Sequence, residues 1–305
     1  MHLISIEDLS AENILTLFDL ADGFLEVARR PIKKVPTLRG RTQVNMFFEP
    51  STRTLTSFEL AGKRLSADVI NIKGSGSSVS KGEGLKDTIL TLESYNPDIL
   101  VIRHPQVGAA RMASRFTDAH VINAGDGAGE HPTQCLLDLY SLHRVYGDLS
   151  GLKVAIVGDV LRSRVARSNI FGFRKMGIDV RLVGPETLMP PGISDWDVPI
   201  YHDLSSVEDV DVIYLLRLQL EREGSMVPPL PSLREYSTVW GLSRDFVRPE
   251  QKIMHPGPIN RGTELADDVA DDGGSVILQQ VESGLAVRMA ILYHVLAPES
   301  GEEVT

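Results

Sequence analysis

A chain of 305 residues, 42% hydrophobic and 24% charged, has the make-up of a soluble globular protein with room for about two domains. Its net charge of −10 disfavours general attraction to nucleic acid, and no apolar run approaches the ~18 residues of a membrane span. The single cysteine, Cys135, excludes an intrachain disulfide or a cysteine-based zinc cluster, and acids rather than bases in MHLISIEDLS argue against a signal peptide, so the expected location is cytoplasmic.

Short β-branched runs alternate with helical periods along the chain. Strands are predicted over 43–48, 68–72, 99–102 and 121–123, then over 153–157, 179–183, 212–216 and 238–241. Between them lie amphipathic stretches, such as Leu55, Phe58, Gly62 and Leu65, or Leu136, Leu137, Tyr140 and His143. This alternation predicts an α/β fold of two domains, each a mostly parallel β-sheet flanked by helices. The runs ILVI and VAIV are apolar throughout, as strands buried on both faces should be. The first domain is expected over 1–134, completed by a C-terminal helix at about 282–305, and the second over 148–281. An interdomain helix is expected over 135–147, with Tyr146-Gly-Asp-Leu-Ser-Gly151 as the linker, and the polar tail PESGEEVT is expected to fray.

In open parallel sheets, ligands bind outside the carboxyl ends of the strands, so the residues following each strand are the ones to weigh. QVNMFF runs into Glu49-Pro-Ser-Thr-Arg-Thr54 and then a helical period. With Ser51 as the N-cap, the first-turn amides of Thr52, Arg53 and Thr54 are donors suited to a phosphate, and Arg53 adds a charged fork. An ordinary capped helix with a solvated arginine fits the same four residues. DILVIR sets Arg103 at a strand end, and VINAGDG leads to Ala128-Gly-Glu-His-Pro-Thr-Gln134. Pro132 suits a first helical position, which puts His131 at the cap and Gln134 one turn in. A neutral imidazole N–H and a carboxamide can both donate to a carbonyl oxygen.

KVAIVGD is followed by Val160-Leu-Arg-Ser-Arg-Val165. The Gly-Asp end suggests a dinucleotide site, but the glycine fingerprint is missing and arginines fill the turn, which argues against nicotinamide binding. VDVIYLL leads to Arg217-Leu-Gln219, and QKIM to His255-Pro-Gly-Pro258. Residues 74–80, rich in Gly and Ser, end in Lys81 and read as a loop or lid. No histidine spacing suits a metal, and Asp267, Asp268, Asp271 and Asp272 read as a solvated acidic turn, so neither metal nor cofactor is expected. Singly these signals are weak. Together, Arg53, Arg103, His131, Arg164 and Arg217, with Lys81, fall at one edge of the predicted sheets. In an acidic chain that clustering is self-repulsive unless anions occupy it, which points to a pair of anionic ligands in an interdomain cleft.

FEPSTRTLTSFELA, SVSKGEGLKDT, DGAGEHPTQCLLDLY, GDVLRSRVARSN, LLRLQLER and MHPGPINRG, spanning about residues 41–262, resemble in content and order the signature stretches of the aspartate carbamoyltransferase catalytic-chain family. The S-T-R-T and H-P-T-Q elements mark the carbamoyltransferase superfamily, while R-x-Q-x-E-R and H-P-G-P resemble its aspartate branch. The His-Cys-Leu-Pro segment of the ornithine branch is missing. Some relatives read Pro-Leu-Pro where this chain has Pro256-Gly257-Pro258.

The resemblance implies that Ser51, Thr52, Arg53 and Thr54 bind the phosphate of carbamoyl phosphate. It implies that Arg103, His131 and Thr54 address the carbonyl oxygen, and that Gln134 with the Gly257-Pro258 turn holds the carbamoyl amide. Arg164, Arg217 and Gln219 are implied to bind the two carboxylates of L-aspartate. Ser77 and Lys81 are implied to reach the site from a neighbouring subunit, making the catalytic unit a homotrimer, open to higher assembly with regulatory chains or a dihydroorotase. The implied reaction is direct attack of the α-amino group of aspartate, giving N-carbamoyl-L-aspartate and phosphate in pyrimidine biosynthesis, without a covalent intermediate. Two other readings share these residues: a carbamoyltransferase for another acceptor such as ornithine, and a non-catalytic scaffolding paralogue.

Overall fold

Four strands, β1 (Thr42–Phe47), β2 (Asp68–Lys73), β3 (Ile99–His104) and β4 (His120–Asp126), pair in parallel in the order β2-β1-β3-β4. Parallel pairing requires crossovers, supplied here by α2 (Thr52–Arg64), α3 (Leu85–Glu93) and α4 (Ala109–Ala113), after an N-terminal α1 (Ala11–Arg29). The chain is a computed structural model that describes residues 1–74, 82–219 and 232–296. It divides into two units, Met1–Tyr140 with Glu282–Thr305, and Ser141–Val281. The divisions fall within α5 (Pro132–Tyr146) and within α9, whose range is Ile277–Leu296.

The second unit carries β5 (Lys153–Val157), β6 (Asp179–Val183), β7 (Ile200–Tyr201), β8 (Val212–Leu215) and β9 (Lys252–Met254), all parallel, in the order β7-β6-β5-β8-β9. Its helices include α6 (Arg164–Lys175), α7 (Leu233–Val239) and α8 (Asp267–Ala270). The two apolar runs behave as expected: Ile99 to Ile102 and Val154 to Val157 are buried throughout. β2 is an edge strand and largely exposed, so its alternation carries less burial. Among the described residues, no helix is long and apolar enough to cross a membrane.

The expected strand over 238–241 is instead the last residues of α7, its C-cap Trp240 and the bend at Gly241. Ser232 caps that helix by accepting the Glu235 amide at 3.0 Å, and Thr238 turns its hydroxyl back onto the Arg234 carbonyl at 2.8 Å. The β-branched Thr-Val pair suggested a strand, but Tyr236 and Trp240 lie four apart and enter the second unit's core together, a helical spacing.

α2 packs unusually close to the sheet at Gly62. A Cβ there would stand 2.1 Å from Oε1 of Gln43 and 2.8 Å from Cγ2 of Val69, while the Gln43 amide nitrogen donates to the Phe58 carbonyl at 3.1 Å. Gly62→Ala is therefore expected to lower stability by about 1–3 kcal/mol through overpacking. Gly23→Ala in α1, where nothing lies within 4 Å, is the control and should stabilise by up to about 1 kcal/mol. Urea titration of the two variants measures both; equal effects would show that the close approach at Gly62 does not matter.

Candidate active site

In each sheet the strand order reverses beside a central strand, and this is where an open parallel sheet forms its crevice. In the first unit the reversal lies between β1 and β3, and in the second between β5 and β8. The candidate residues follow these strands and their neighbours β4 and β9.

β1 delivers the chain to Ser51, which holds the N-cap position of α2 with its hydroxyl making no capping bond. The first intrahelical bond runs from the Leu55 amide to the Ser51 carbonyl at 3.1 Å, so the preceding turn has no intrahelical acceptor for its amides. Thr52 and Arg53 are exposed and Thr54 is buried. Ser51 thus sits at the cap position without the side-chain capping bond expected of it, at the positive end of the helix dipole.

Arg103, at the end of β3, is fixed from two sides. Its Nε lies 3.4 Å from Oε2 of Glu49, in the loop after β1, and its Nη1 donates to the Ala124 carbonyl at 3.4 Å. The same two strand ends are joined by the Phe48 amide donating to the Arg103 carbonyl at 2.9 Å and by a Phe48–His104 ring contact. Burial holds the His104 imidazole below its usual pKa, against the opposing pull of Glu49 and Asp126.

β4 ends in Gly125-Asp126, and buried Asp126 organises the loop that carries His131. Its carboxylate accepts the amides of Gly108 at 2.7 Å and Glu130 at 2.8 Å and the side chain of Asn123 at 3.2 Å. The Gly127 amide donates to the His104 carbonyl at 2.8 Å, which joins this loop to the β3 end. His131 is buried at the start of α5, with Oγ1 of Thr133 3.3 Å from its Nδ1.

Gln134 is oriented by Asp138: its Nε2 donates to Oδ1 of Asp138 at 3.0 Å, and its carbonyl is turned the other way. Behind it, fully buried Arg288 feels the charge of Asp138, yet burial pulls its guanidinium pKa down to about 10. Arg288 also stacks over the Phe58 ring of α2 at 5.3 Å.

β5 repeats the Gly-Asp ending at Gly158-Asp159, and Gly158 sits at φ +116° with no space for a Cβ, which would lie 2.8 Å from the Tyr236 hydroxyl. Asp159 is fully buried. It accepts the amide of Arg162 at 3.2 Å and its Nη1 at 3.1 Å, and, from 60 residues on, the amide of Gln219 at 3.2 Å. One carboxylate therefore ties the loop before α6 to the loop after β8. Arg164 opens α6 and is buried, with Ser163 capping the helix, while Arg217 and Gln219 are half-buried. Burial pushes the Asp159 carboxyl above its usual pKa, opposed by the Gln219 amide and Arg162. Burial, then Glu264 and Asp159, raise the Tyr236 hydroxyl. After β9, His255-Pro-Gly-Pro258 forms a turn with a cis Gly257–Pro258 bond.

The structure thus brings Ser51 to Thr54, Arg103, His131 and Gln134 to neighbouring strand ends of one sheet. It brings Arg164, Arg217, Gln219 and the Gly257-Pro258 turn to those of the other. Ser77 and Lys81 lie outside the described residues, as does most of the 74–80 loop. The anchors Glu49, Asp126, Asp138, Asp159 and Glu264 were not singled out from the sequence. The one available signal was the Gly-Asp pair ending both β4 and β5. In the acidic turn Asp267, Asp268 and Asp271 are exposed and Asp272 is half-buried, with Asp267 and Asp271 paired to Arg261 and Asp272 to Arg244. Among the described residues, no three His, Cys, Asp or Glu side chains gather as a metal site would require.

Two parallel α/β units, one ending its strands in a phosphate-suited helix start and the other in paired arginines, match two family models. Residues 1–144 match the carbamoyl-P binding domain of the aspartate/ornithine carbamoyltransferases, and residues 150–295 match their Asp/Orn binding domain. The architecture is that of a carbamoyltransferase, a transferase. The chain is 53% identical over 306 residues to the aspartate carbamoyltransferase catalytic subunit of Geobacter sulfurreducens, covering 99% of this chain and 98% of that one. It is 51% identical over 306 residues to that of Syntrophotalea carbinolica, covering 99% and 97%. Among solved structures, the catalytic subunit of M. jannaschii aspartate transcarbamoylase aligns at TM-score 0.84 and 38% identity over 99% of both chains. Aspartate transcarbamoylase from Trypanosoma cruzi, in complex with carbamoyl aspartate and phosphate, aligns at 0.86 and 34% over 97% and 96%. The chain belongs to the aspartate carbamoyltransferase catalytic-subunit family.

Proposed function

We infer that the chain transfers the carbamoyl group of carbamoyl phosphate to the α-amino group of L-aspartate, giving N-carbamoyl-L-aspartate and phosphate. The observation that carries this reading is the arginine pair of the second sheet. Arg164 and Arg217 follow the strands that flank the sheet's reversal, Gln219 stands beside them, and one buried Asp159 ties the two loops. Two guanidinium forks suit a dicarboxylate acceptor and would repel the cationic side chain of ornithine. The Trypanosoma cruzi relative has been solved with N-(phosphonacetyl)-L-aspartic acid, which joins both halves of that substrate pair.

In this reading Ser51, Thr52, Arg53 and Thr54 bind the phosphate, and Arg103, His131 and Thr54 meet the carbonyl oxygen. The Gln134 carbonyl and the Gly257-Pro258 turn accept from the carbamoyl amide. The amine nitrogen attacks the carbonyl carbon, an oxyanion forms, the bond to the phosphate oxygen breaks, and the amine proton leaves with the phosphate. No protein nucleophile takes part. The chain's work is to align two mutually repelling anions, worth about 7–11 kcal/mol, and to stabilise the developing oxyanion. Both sets of side chains must act on one pair of reactants. Ser77 and Lys81 complete the site from a neighbouring subunit of a homotrimer in the cytoplasm. Relatives named as catalytic subunits support assembly with further chains.

The test is titration with a phosphonate–aspartate bisubstrate analogue, followed by an acceptor panel. One analogue per chain should bind more tightly than either substrate, and only aspartate should be carbamoylated at a high rate. Binding no tighter than that of carbamoyl phosphate alone, or a preference for ornithine, would overturn the assignment.

A further inference from the structure

The turn after β9 has few means of holding its own shape. Pro256 and Pro258 carry no N–H, and Gly257 adopts φ +65°, so the Gly257 amide is the turn's main internal donor. That amide donates to Nδ1 of His255 at 2.8 Å. Because Nδ1 accepts, the neutral ring carries its proton on Nε2, and Nε2 lies 3.2 Å from Oε1 of Glu264. Both side chains are fully buried. The same Glu264 oxygen accepts the amide of Asn260 at 2.6 Å, just past the turn. The His255 amide in turn donates to Oε1 of Gln280 in α9 at 3.0 Å.

A position that only filled space would favour an apolar residue. Here a carboxylate is fully buried, and its second oxygen, Oε2, has no hydrogen-bond partner among the described residues, a costly arrangement. What it secures is a ring in one tautomer with its acceptor aimed at Gly257. A peptide unit is planar and trans between Pro256 and Gly257, so pinning the Gly257 N–H also fixes the opposite direction of the Pro256 carbonyl.

We propose that Glu264 and His255 are positioning residues for the donor substrate: the pair orients the 256–258 turn so that its carbonyls accept from the carbamoyl amide. This rests on the reading in which that turn meets the amide. Glu264 sets the tautomer, His255 transmits it, and the turn is the working surface.

Two variants of His255 separate the halves of the relay. His255→Gln sets a carboxamide near the Nε2 position, reaching Glu264 but giving Gly257 no acceptor. His255→Asn sets an oxygen near the Nδ1 position, restoring that acceptor while giving up Glu264. His255→Gln should raise the KM for carbamoyl phosphate about tenfold, the size of one lost hydrogen bond, with the KM for aspartate changed less than about twofold. His255→Asn should recover most of that loss, and Glu264→Gln should fall between them. A merely structural role would lower Tm and active fraction in all three while leaving the two KM values in their original ratio, and that result would overturn the proposal. Should His255→Gln not fold, the Asn and Glu264→Gln variants decide by the same ratio. Wild-type protein that turned over no carbamoyl phosphate would instead overturn the underlying reading.

Discussion

Arg103→Ala is expected to lower kcat by about 10²–10³-fold, with the KM for aspartate little changed. The magnitude is that of losing one preorganised donor at an oxyanion, about 2.7–4 kcal/mol. Preorganisation is visible in the structure: Glu49 at 3.4 Å and the Ala124 carbonyl at 3.4 Å hold the guanidinium at the β3 end before any ligand arrives. Arg103→Lys keeps the charge but loses the planar fork that spans both partners, so it should recover only a small part of the rate. Steady-state kinetics of both variants, with Tm alongside, make the measurement. An alanine variant with near-native kcat would remove Arg103 from the chemistry.

How much of this was legible in the sequence depends on how far apart the interacting residues lie. Ile99 to Ile102 and Val154 to Val157 announced themselves by being apolar at every position, because a strand covered on both faces has no wet side to mark. The candidate cations Arg53, Arg103, Arg164 and Arg217 were legible for a related reason: each ends or follows a strand, and strand ends are countable. The helix at 233–239 was not, because Thr238 and Val239 carry a β-branched signal that a Ser232 cap and a Tyr236–Trp240 core spacing outweigh. The anchoring carboxylates were not legible either. Glu49 meets Arg103 across 54 positions and Asp159 meets Gln219 across 60, and no periodicity links residues so distant. Gln134 shows the finer limit: its place on α5 was readable, but which end of its amide faces outward depends on Asp138.

Asp159 therefore carries the second large effect. Asp159→Ala leaves the Arg162 guanidinium without its counter-charge and the Gln219 amide without its acceptor. Breaking one side of a buried pair costs about 3–5 kcal/mol, so a substantial fall in Tm is expected. Because the loop holding Arg164 and the loop holding Arg217 and Gln219 are joined through this carboxylate, the KM for aspartate should rise at least about tenfold, and that for carbamoyl phosphate far less. The pH dependence separates charge from scaffolding. Burial raises the folded-state pKa of Asp159 above its unfolded value, so the folded protein binds this proton more readily. The Asp159 contribution to stability accordingly declines as pH climbs from the ordinary carboxylate value through the raised one, and is constant above it. Asp159→Asn cannot titrate and should lack that decline, while keeping an oxygen for the Gln219 amide and hence a smaller rise in aspartate KM. Unfolding followed from about pH 3.5 to 8 gives the slope. If the alanine variant melts like wild type, or if its aspartate KM stays within twofold, then the two loops are held by other contacts and Asp159 is not their tie.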